Sequence, residues 1–252
     1  MIRNSFVFLE RISHATEKRI WNSGITDWNA FLESKSVPGL SPVRKNYYDK
    51  CINEARQHLN DHNSAYFHGK LPKSEAWRLY DHFSDSCLFL DIETTGYYGD
   101  ITVIGMYDGN DVMTLVKNQS LNKDTLKDIL SRYKMLVTFN GLSFDIPVIN
   151  KYFDGVVPGI PHLDLRFPLA KLGYRGGLKN IEKELGVKRS DRTEGLDGFD
   201  AVRLWHQYKA DGDEDALNLL VEYNTEDILN LKPLARFVFD GMKKDMMQHF
   251  RN

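Results

Sequence analysis

The sequence predicts an α/β protein: a mixed five-stranded sheet flanked by helices, preceded by a small helical N-terminal domain. Three observations carry this expectation. From residue 86 the apolar residues fall into short strand-like runs, "CLFLDIET", "ITVIGMYD" and "DVMTLVKN". Two further runs, "MLVTFNG" and "HLDLR", then alternate with amphipathic helical segments. The first third instead reads as helices broken by Pro, Gly and Ser. The change of period places a domain boundary near residue 84, with a helical region at 1–84 and an α/β domain at 85–252.

In chain order, "SFVFLERI" and "ATEKRIWNSGI" read as short helices around a turn, with Gly24 as a stop. "TDWNAFLES" opens with Thr26 or Asp27 as a helix cap. "VPGLSPVR" is a break, "SPVRKNYYDKCINEARQHLNDH" a polar amphipathic helix, and 65–83 an irregular connector with aromatic anchors. "DGND" joins the second and third strands as a hairpin turn. "NKDTLKDILSRY" is a helix, and "SFDIPVINKYF" starts another, with Ser143 as cap and Pro147 in its first turn. "LKNIEKELG" places Leu178, Ile181 and Leu185 on one face and stops at Gly186. "DAVRLWHQYKA" follows, and "DEDALNLLVEYNTEDILNL" is a long helix expected to bend or end at Pro233.

The bulk numbers exclude several classes. The chain has 252 residues, 42% hydrophobic and 27% charged, which suits a globular protein with one sizeable core. No run of 18 apolar residues is present, so no membrane partner is expected. The N-terminus has neither an uninterrupted apolar segment nor a small-residue cleavage site and reads as folded structure. Cys51 and Cys87 have no Cys-x-x-Cys spacing, which fits a reducing, cytoplasmic setting. The net charge of −2 carries no global signal for nucleic acid.

The chemistry concentrates in carboxylates. Asp91 and Glu93 stand two apart on an otherwise apolar strand, so both point to one face. Such a pair is costly unless something neutralises it. Asp145 begins the helix after the fourth strand, and Tyr223 and Asp227 stand at i and i+4 on the long helix. Carboxylate oxygens suit hard divalent cations. Two such ions about 4 Å apart clamp the attacking and leaving oxygens of a phosphodiester, and Tyr223 is placed to orient the water.

"FLDIETTG", "FNGLSFD" and "YNTED" resemble the three exonuclease motifs of the DEDD superfamily, whose fold is ribonuclease H-like. The resemblance covers residues 86–240. The Tyr-x-x-x-Asp form of the third motif is that of the tyrosine subclass; Glu222 stands where the histidine subclass carries its His. The resemblance implies that Asp91, Glu93, Asp145 and Asp227 ligate two divalent cations, Mg²⁺ or Mn²⁺, and that Tyr223 orients the nucleophilic water. It implies that Thr94, Thr95 and Gly96 border the terminal nucleotide. Asn140 and Phe144 would contact the substrate strand, with Phe144 either stacking on a base or packing in the core. Asp164 is expected behind these residues. Asp213, Glu214 and Asp215 are expected only to start a helix.

The N-terminal "FLERISHATEKRIWNSGITDWNAFL" is similar to a helix-hairpin-helix motif, although Arg11-Ile12-Ser13 stands where a Gly-hydrophobic-Gly turn is usual. Arg11, Lys18 and Arg19 are candidate nucleic-acid contacts there; the other reading is a helical lid that only packs on the second domain. Together with "GKLPKSEAWRLY", the chain resembles a prokaryotic group of ribonuclease H-like exonucleases related to the YprB protein.

The expectation is therefore a metal-dependent 3′→5′ exonuclease acting on single-stranded 3′ ends, DNA favoured over RNA, of the kind used in DNA repair. The alternatives are an exoribonuclease, a structure-specific endonuclease and a non-catalytic nucleic-acid binder. If the acidic residues hold metal, Mg²⁺ or Mn²⁺ raises the melting temperature near neutral pH. An unchanged melting temperature at millimolar Mn²⁺ counts against the site.

Overall fold

The computed structural model describes residues 1–96 and 99–250. In the first third, His14–Asn22 (α1), Trp28–Glu33 (α2) and Pro42–Asn60 (α3) are helices. Each opens on a side chain that satisfies a first-turn amide: Ser13 accepts from Thr16, Asp27 from Ala30 and Ser41 from Arg44. The expected helix at "SFVFLERI" does not form. Residues 5–13 run as turns, and a buried charge takes the amides of Phe6 and Val7. Glu17 Oε1 accepts from Phe6 N at 2.6 Å and Val7 N at 3.2 Å. Arg78 forks onto Glu17 at 2.9 and 3.0 Å and reaches Glu75 at 2.6 Å. These partners offset the desolvation of Glu17 and tie the first residues to the end of the connector. The connector is less irregular than expected. It passes through two 3-10 turns into the helix Trp77–Phe83 (α4), which carries Arg78 and buries Trp77, Leu79 and Phe83.

The second part builds the expected mixed sheet. Its strands are Cys87–Thr94 (β1), Ile101–Tyr107 (β2), Val112–Val116 (β3), Met135–Thr138 (β4) and His162–Asp164 (β5). Their order is β3-β2-β1-β4-β5. β2 pairs antiparallel with both β1 and β3, whereas β4 runs parallel to β1 and to β5. Lys123–Ser131 (α5) and Asp145–Tyr152 (α6) follow β3 and β4. After β5 come Arg166–Lys171 (α7), which the sequence reading did not anticipate, then Leu178–Leu185 (α8), Gly198–Asp211 (α9) and Glu214–Gln248 (α10). Gly186 ends α8 in the left-handed conformation, φ 72°. Among the described residues, no helix is long and apolar enough to cross a membrane.

Two expected boundaries are corrected. Ser143 does not cap α6; the N-cap is Phe144, without a side-chain bond. Ser143 N and Phe144 N both donate to Asn140 O, so a tight turn precedes the helix and leaves Ser143 a residue too early. Of the two outcomes expected at Pro233, a bend or an end, the end is ruled out, since α10 continues to Gln248. Pro233 sits on the exposed side, and the carbonyl it leaves without a donor belongs to exposed Leu229. Leu231, Leu234, Ala235 and Val238 stay buried on the opposite side, and that burial holds the helix through the proline.

The alternation along β1 decides where the carboxylates go. Leu88, Leu90 and Ile92 pack with Leu126, Leu130 and Ile149 beneath α5 and α6. Cys87 and Phe89 face the other way, toward Leu231, Leu234 and Phe239 of α10, in a cluster that also holds the N-terminal core. Asp91 and Glu93 continue this second row, so they face α10. Gly105, paired with Asp91 across β1 and β2, lets α10 come close. A Cβ at Gly105 would lie 2.0 Å from Asn224 Oδ1. Gly105→Ala should therefore destabilise the fold by about 1–3 kcal/mol through overpacking. Added to Asn224→Ala it should cost much less, and denaturant unfolding of the double-mutant cycle reads this; additive effects would mean that the two do not touch.

Candidate active site

The site forms where β1 ends beside β4, at the carboxyl edge of the parallel pair, a usual place for function in an open α/β sheet. A register shift between Glu93 and Thr94 marks where regular pairing of β1 breaks. Carboxylate oxygens of Asp91, Glu93 and Asp227 all lie within 4.8 Å of one another. Asp227 arrives from α10, one turn after Tyr223, with both side chains buried against the sheet. Asn224, between them, donates to Asp91 Oδ2 at 2.9 Å and fixes its orientation.

Asp145, at the start of α6, is not among the three carboxylates whose oxygens meet. β4 stops at Thr138, and Asp145 Oδ1 accepts from the amide of Ile92 at 3.1 Å. Asp164 braces the intervening turn: its carboxylate accepts from Asn140 N at 2.7 Å, Leu142 N at 3.0 Å and Arg166 N at 3.1 Å. Asn140 takes φ 65°, and its side-chain oxygen accepts from Arg166. Phe144 is half-buried against the core beneath α6.

Thr94, Thr95 and Gly96 form a small turn at the strand end. Thr94 Oγ1 donates to Gly96 O at 2.8 Å, and Thr95 Oγ1 accepts from Asp100 N at 3.0 Å. Asp213 caps α10 through Asp215 N and Ala216 N, a structural role only. Arg11, Lys18 and Arg19 are exposed in the N-terminal region, away in sequence from these residues.

The electrostatics are those of an acid-rich pocket. Burial, then the charges of Asp145, Asp227 and Glu93, push Asp91 well above the carboxylate range. Burial and Asp227 do the same to Glu93. Burial raises Asp145 to about 7. Asp227 is also raised by burial, against the pull of Arg189 and Lys179. Burial and the neighbouring Asp227, Glu93 and Asp91 hold the Tyr223 hydroxyl above its ordinary range, so it stays protonated.

Sequence reasoning passed over the two cations that share this pocket. Lys179, in the first turn of α8, donates to the Tyr223 hydroxyl, and its ammonium lies 3.9 Å from the centre of that ring. A lysine in a first turn opposes the helix dipole, and that anomaly was legible in "GGLKNIE". Arg189 forks onto buried Glu182 at 2.6 and 2.8 Å and also donates to Asp227. The segment around it is strapped to α10, with Ser190 N on Glu226 at 2.8 Å and Arg192 on Glu222 at 2.9 Å. No spacing pattern marks Arg189, because its partners come from two helices far apart in sequence. A hollow of about 290 Å³ opens between Asp91, Tyr223 and Asp227 on one side and Lys179 and Asn180 on the other.

The donor set fits a hard divalent cation: oxygen only, clustered, and short of positive charge. A mixed sheet with an acid cluster at the end of its central strand defines a ribonuclease H-like fold. The model of the RNase_H superfamily matches residues 88–238, more than half of the chain, and the chain belongs to that superfamily. Among solved structures, the chain is similar to one described as the apo form of a nuclease, at 19% identity and TM-score 0.46, covering 69% of this chain and 79% of that one. It is similar to the family B DNA polymerase of Pyrobaculum calidifontis at 14% identity and TM-score 0.44, over 64% of this chain and 24% of that one. The third is Escherichia coli RNase D, an exoribonuclease involved in structured RNA processing, at 17% identity and TM-score 0.42, over 71% and 48%. No curated protein matches the chain.

The raised carboxylates set a pH dependence. A carboxyl whose folded pKa lies above its unfolded value of about 3.9 stabilises the fold below that pH. The contribution is lost as pH rises through the folded value, about 7 for Asp145. In chelator, the melting temperature should fall by several degrees between pH 5 and 8. Asp145→Asn should flatten that fall, and an equally steep fall in this variant would contradict the assignment.

Proposed function

We propose that the chain is a metal-dependent 3′→5′ exonuclease of the tyrosine DEDD subclass, acting on single-stranded 3′ ends. The observation that carries the reading is the approach of Asp91, Glu93 and Asp227 to within 4.8 Å, with Tyr223 on the same hollow. Asp91, Glu93, Asp145 and Asp227 would hold one or two Mg²⁺ or Mn²⁺ ions. Such ions polarise a phosphodiester and ease the formation of hydroxide from water.

The remaining roles belong to the chain. Tyr223 keeps its proton and positions the attacking water by accepting and donating hydrogen bonds; it is not a simple general base. Lys179 fixes the Tyr223 hydroxyl and brings positive charge to the hollow where a phosphate would lie. Arg189 holds one oxygen of Asp227 and leaves the other for a cation. Asn224 does the corresponding work for Asp91.

Thr94, Thr95, Gly96, Asn140 and Phe144 are proposed contacts for the terminal nucleotide. Polarity of attack and the preference for DNA rest on the motif resemblance and the helix-hairpin-helix-like start. Placement in the YprB-related group, a unit boundary near residue 84 and a cytoplasmic setting belong to the same proposal. The free Cys51 and Cys87 are compatible with that setting.

The test uses 5′-labelled single-stranded DNA and RNA of one sequence, with Mg²⁺ or Mn²⁺, and reads product ladders. Stepwise shortening from the 3′ end is expected, faster on DNA. Asp91→Ala should lower the rate by more than about 100-fold, since even a residue behind a metal ligand is worth 10–100-fold. Tyr223→Phe should cost about 10–100-fold in kcat, at or below the range for a positioned proton-handling group. Internal fragments would indicate an endonuclease, and an Asp91→Ala enzyme as fast as wild type would refute the assigned site.

A further inference from the structure

The N-terminal region carries a second feature, distinct from the acid cluster. Two adjoining hollows of about 280 and 270 Å³ share Glu10 and Tyr47. Tyr47, on α3, is 51% exposed, a large ring left open to solvent on a helix whose next residue, Tyr48, is fully buried. Tyr66 borders one hollow, and the Lys70 ammonium lies 3.7 Å from the centre of its ring. Arg11 and Arg44 border the other hollow. Among the residues lining one or other of the two, Arg11, Arg44 and Lys70 are cationic and Glu10 is the one carboxylate.

The cleft is built rather than incidental. Tyr48 donates to Glu10 O at 2.6 Å, which pins the turn carrying Arg11 to α3. Tyr66 donates to Cys51 O at 3.4 Å and also meets Glu54 at 3.3 Å, which pins the other wall. Arg11 holds φ 62°, an uncommon conformation for a residue with a side chain, and its side chain is 74% exposed. The guanidinium stands at the rim, where it meets Glu10 at 3.4 Å. The turn differs in kind from the glycine turn of a helix-hairpin-helix, whose amides bind phosphate, because here side chains and rings face the cleft.

We propose that this cleft holds a single-stranded stretch of nucleic acid, with a base stacked on Tyr47 and phosphates on Arg11, Arg44 and Lys70. Alternating rings and cations suit a single strand, whose bases expose their faces; a duplex hides them. An acidic peptide would use the cations and leave the exposed ring without a role. The proposal rests on the nucleic-acid-degrading reading above and deepens it, because it gives the substrate a second hold outside the acid cluster.

Fluorescence anisotropy of the full chain in chelator tests it without cleavage. The probes are 20-nucleotide single-stranded DNA and RNA of mixed sequence, the matching DNA duplex, and a poly-glutamate peptide as competitor. Tyr47→Leu should weaken single-strand binding about 5–10-fold and Tyr47→Trp should restore it, a rescue that loss of folding cannot mimic. Arg44→Ala should also reduce the slope of log affinity against log salt by about 0.7. The DNA and RNA arms identify the strand that occupies the cleft. Equal binding by Tyr47→Leu and wild type, equal or tighter binding of the duplex, or displacement by poly-glutamate at matched charge would each overturn the proposal. Hydrolysis of p-nitrophenyl thymidine 5′-phosphate by the wild-type chain with Mn²⁺ reads the enzymatic proposal separately. Hydrolysis with no effect of Tyr47 sinks the cleft alone, whereas a Tyr47 effect with neither ester nor oligonucleotide hydrolysis sinks the enzyme alone.

Discussion

Repulsion between carboxylates crowded at the end of a core strand is the constraint on which the rest of this structure depends. Asp91, Glu93 and Asp227 bring their oxygens within 4.8 Å at the edge of an apolar sheet. The surrounding architecture both creates that crowding and limits its cost. Strand alternation puts Asp91 and Glu93 on the α10 face, and Gly105 allows α10 to approach. Asn224 then satisfies Asp91, while Arg189 and Lys179 bring the nearest opposing charges. Even so, all four acidic residues remain above their ordinary pKa values. A site that stays short of positive charge after the protein has contributed its own cations is poised for another.

The chain holds a second buried charge cluster, and the contrast is instructive. Glu17 sits beneath α4 with two backbone amides and a forked guanidinium, and Arg78 is shared with Glu75. Those groups satisfy one another. They order residues 5–13 and fasten them to the connector, and no further ligand is called for. The acid cluster of the sheet lacks such closure. Buried charge of the first kind specifies a fold; charge of the second kind leaves binding capacity unused.

Much of the fold was legible because its determinants are local. Period-two runs located the strands, and Asp27 and Gly186 marked helix ends by their capping chemistry. At two of the misread segments a tertiary contact acts beside the local preference. "SFVFLERI" reads as helical, yet it runs as turns whose first amides, Phe6 N and Val7 N, are held by Glu17 of a later helix. Pro233 lacks a donor, yet burial on the far side of α10 carries the helix past it. The carboxylates and Tyr223 stood out because acids in apolar surroundings are anomalous in any context. Arg189 did not, since surface cations look the same in sequence as cations aimed into a pocket; Lys179 was marked only by its place in the first turn of α8. His206, next to buried Trp205 on α9, is exposed, so apolar neighbours in sequence do not tell which side of a helix faces in.

The central claim is that the acid cluster is a divalent-cation site. Anomalous diffraction from crystals of the full chain grown with Mn²⁺ tests it most directly. The account predicts a manganese peak about 2 Å from oxygens of both Asp91 and Asp227, with Asp145 and Glu93 in reach of the same ion or a second one. Crystals saturated with Mn²⁺ that show no peak there, with Arg189 still on Asp227 and the carboxylates unmoved, would contradict it.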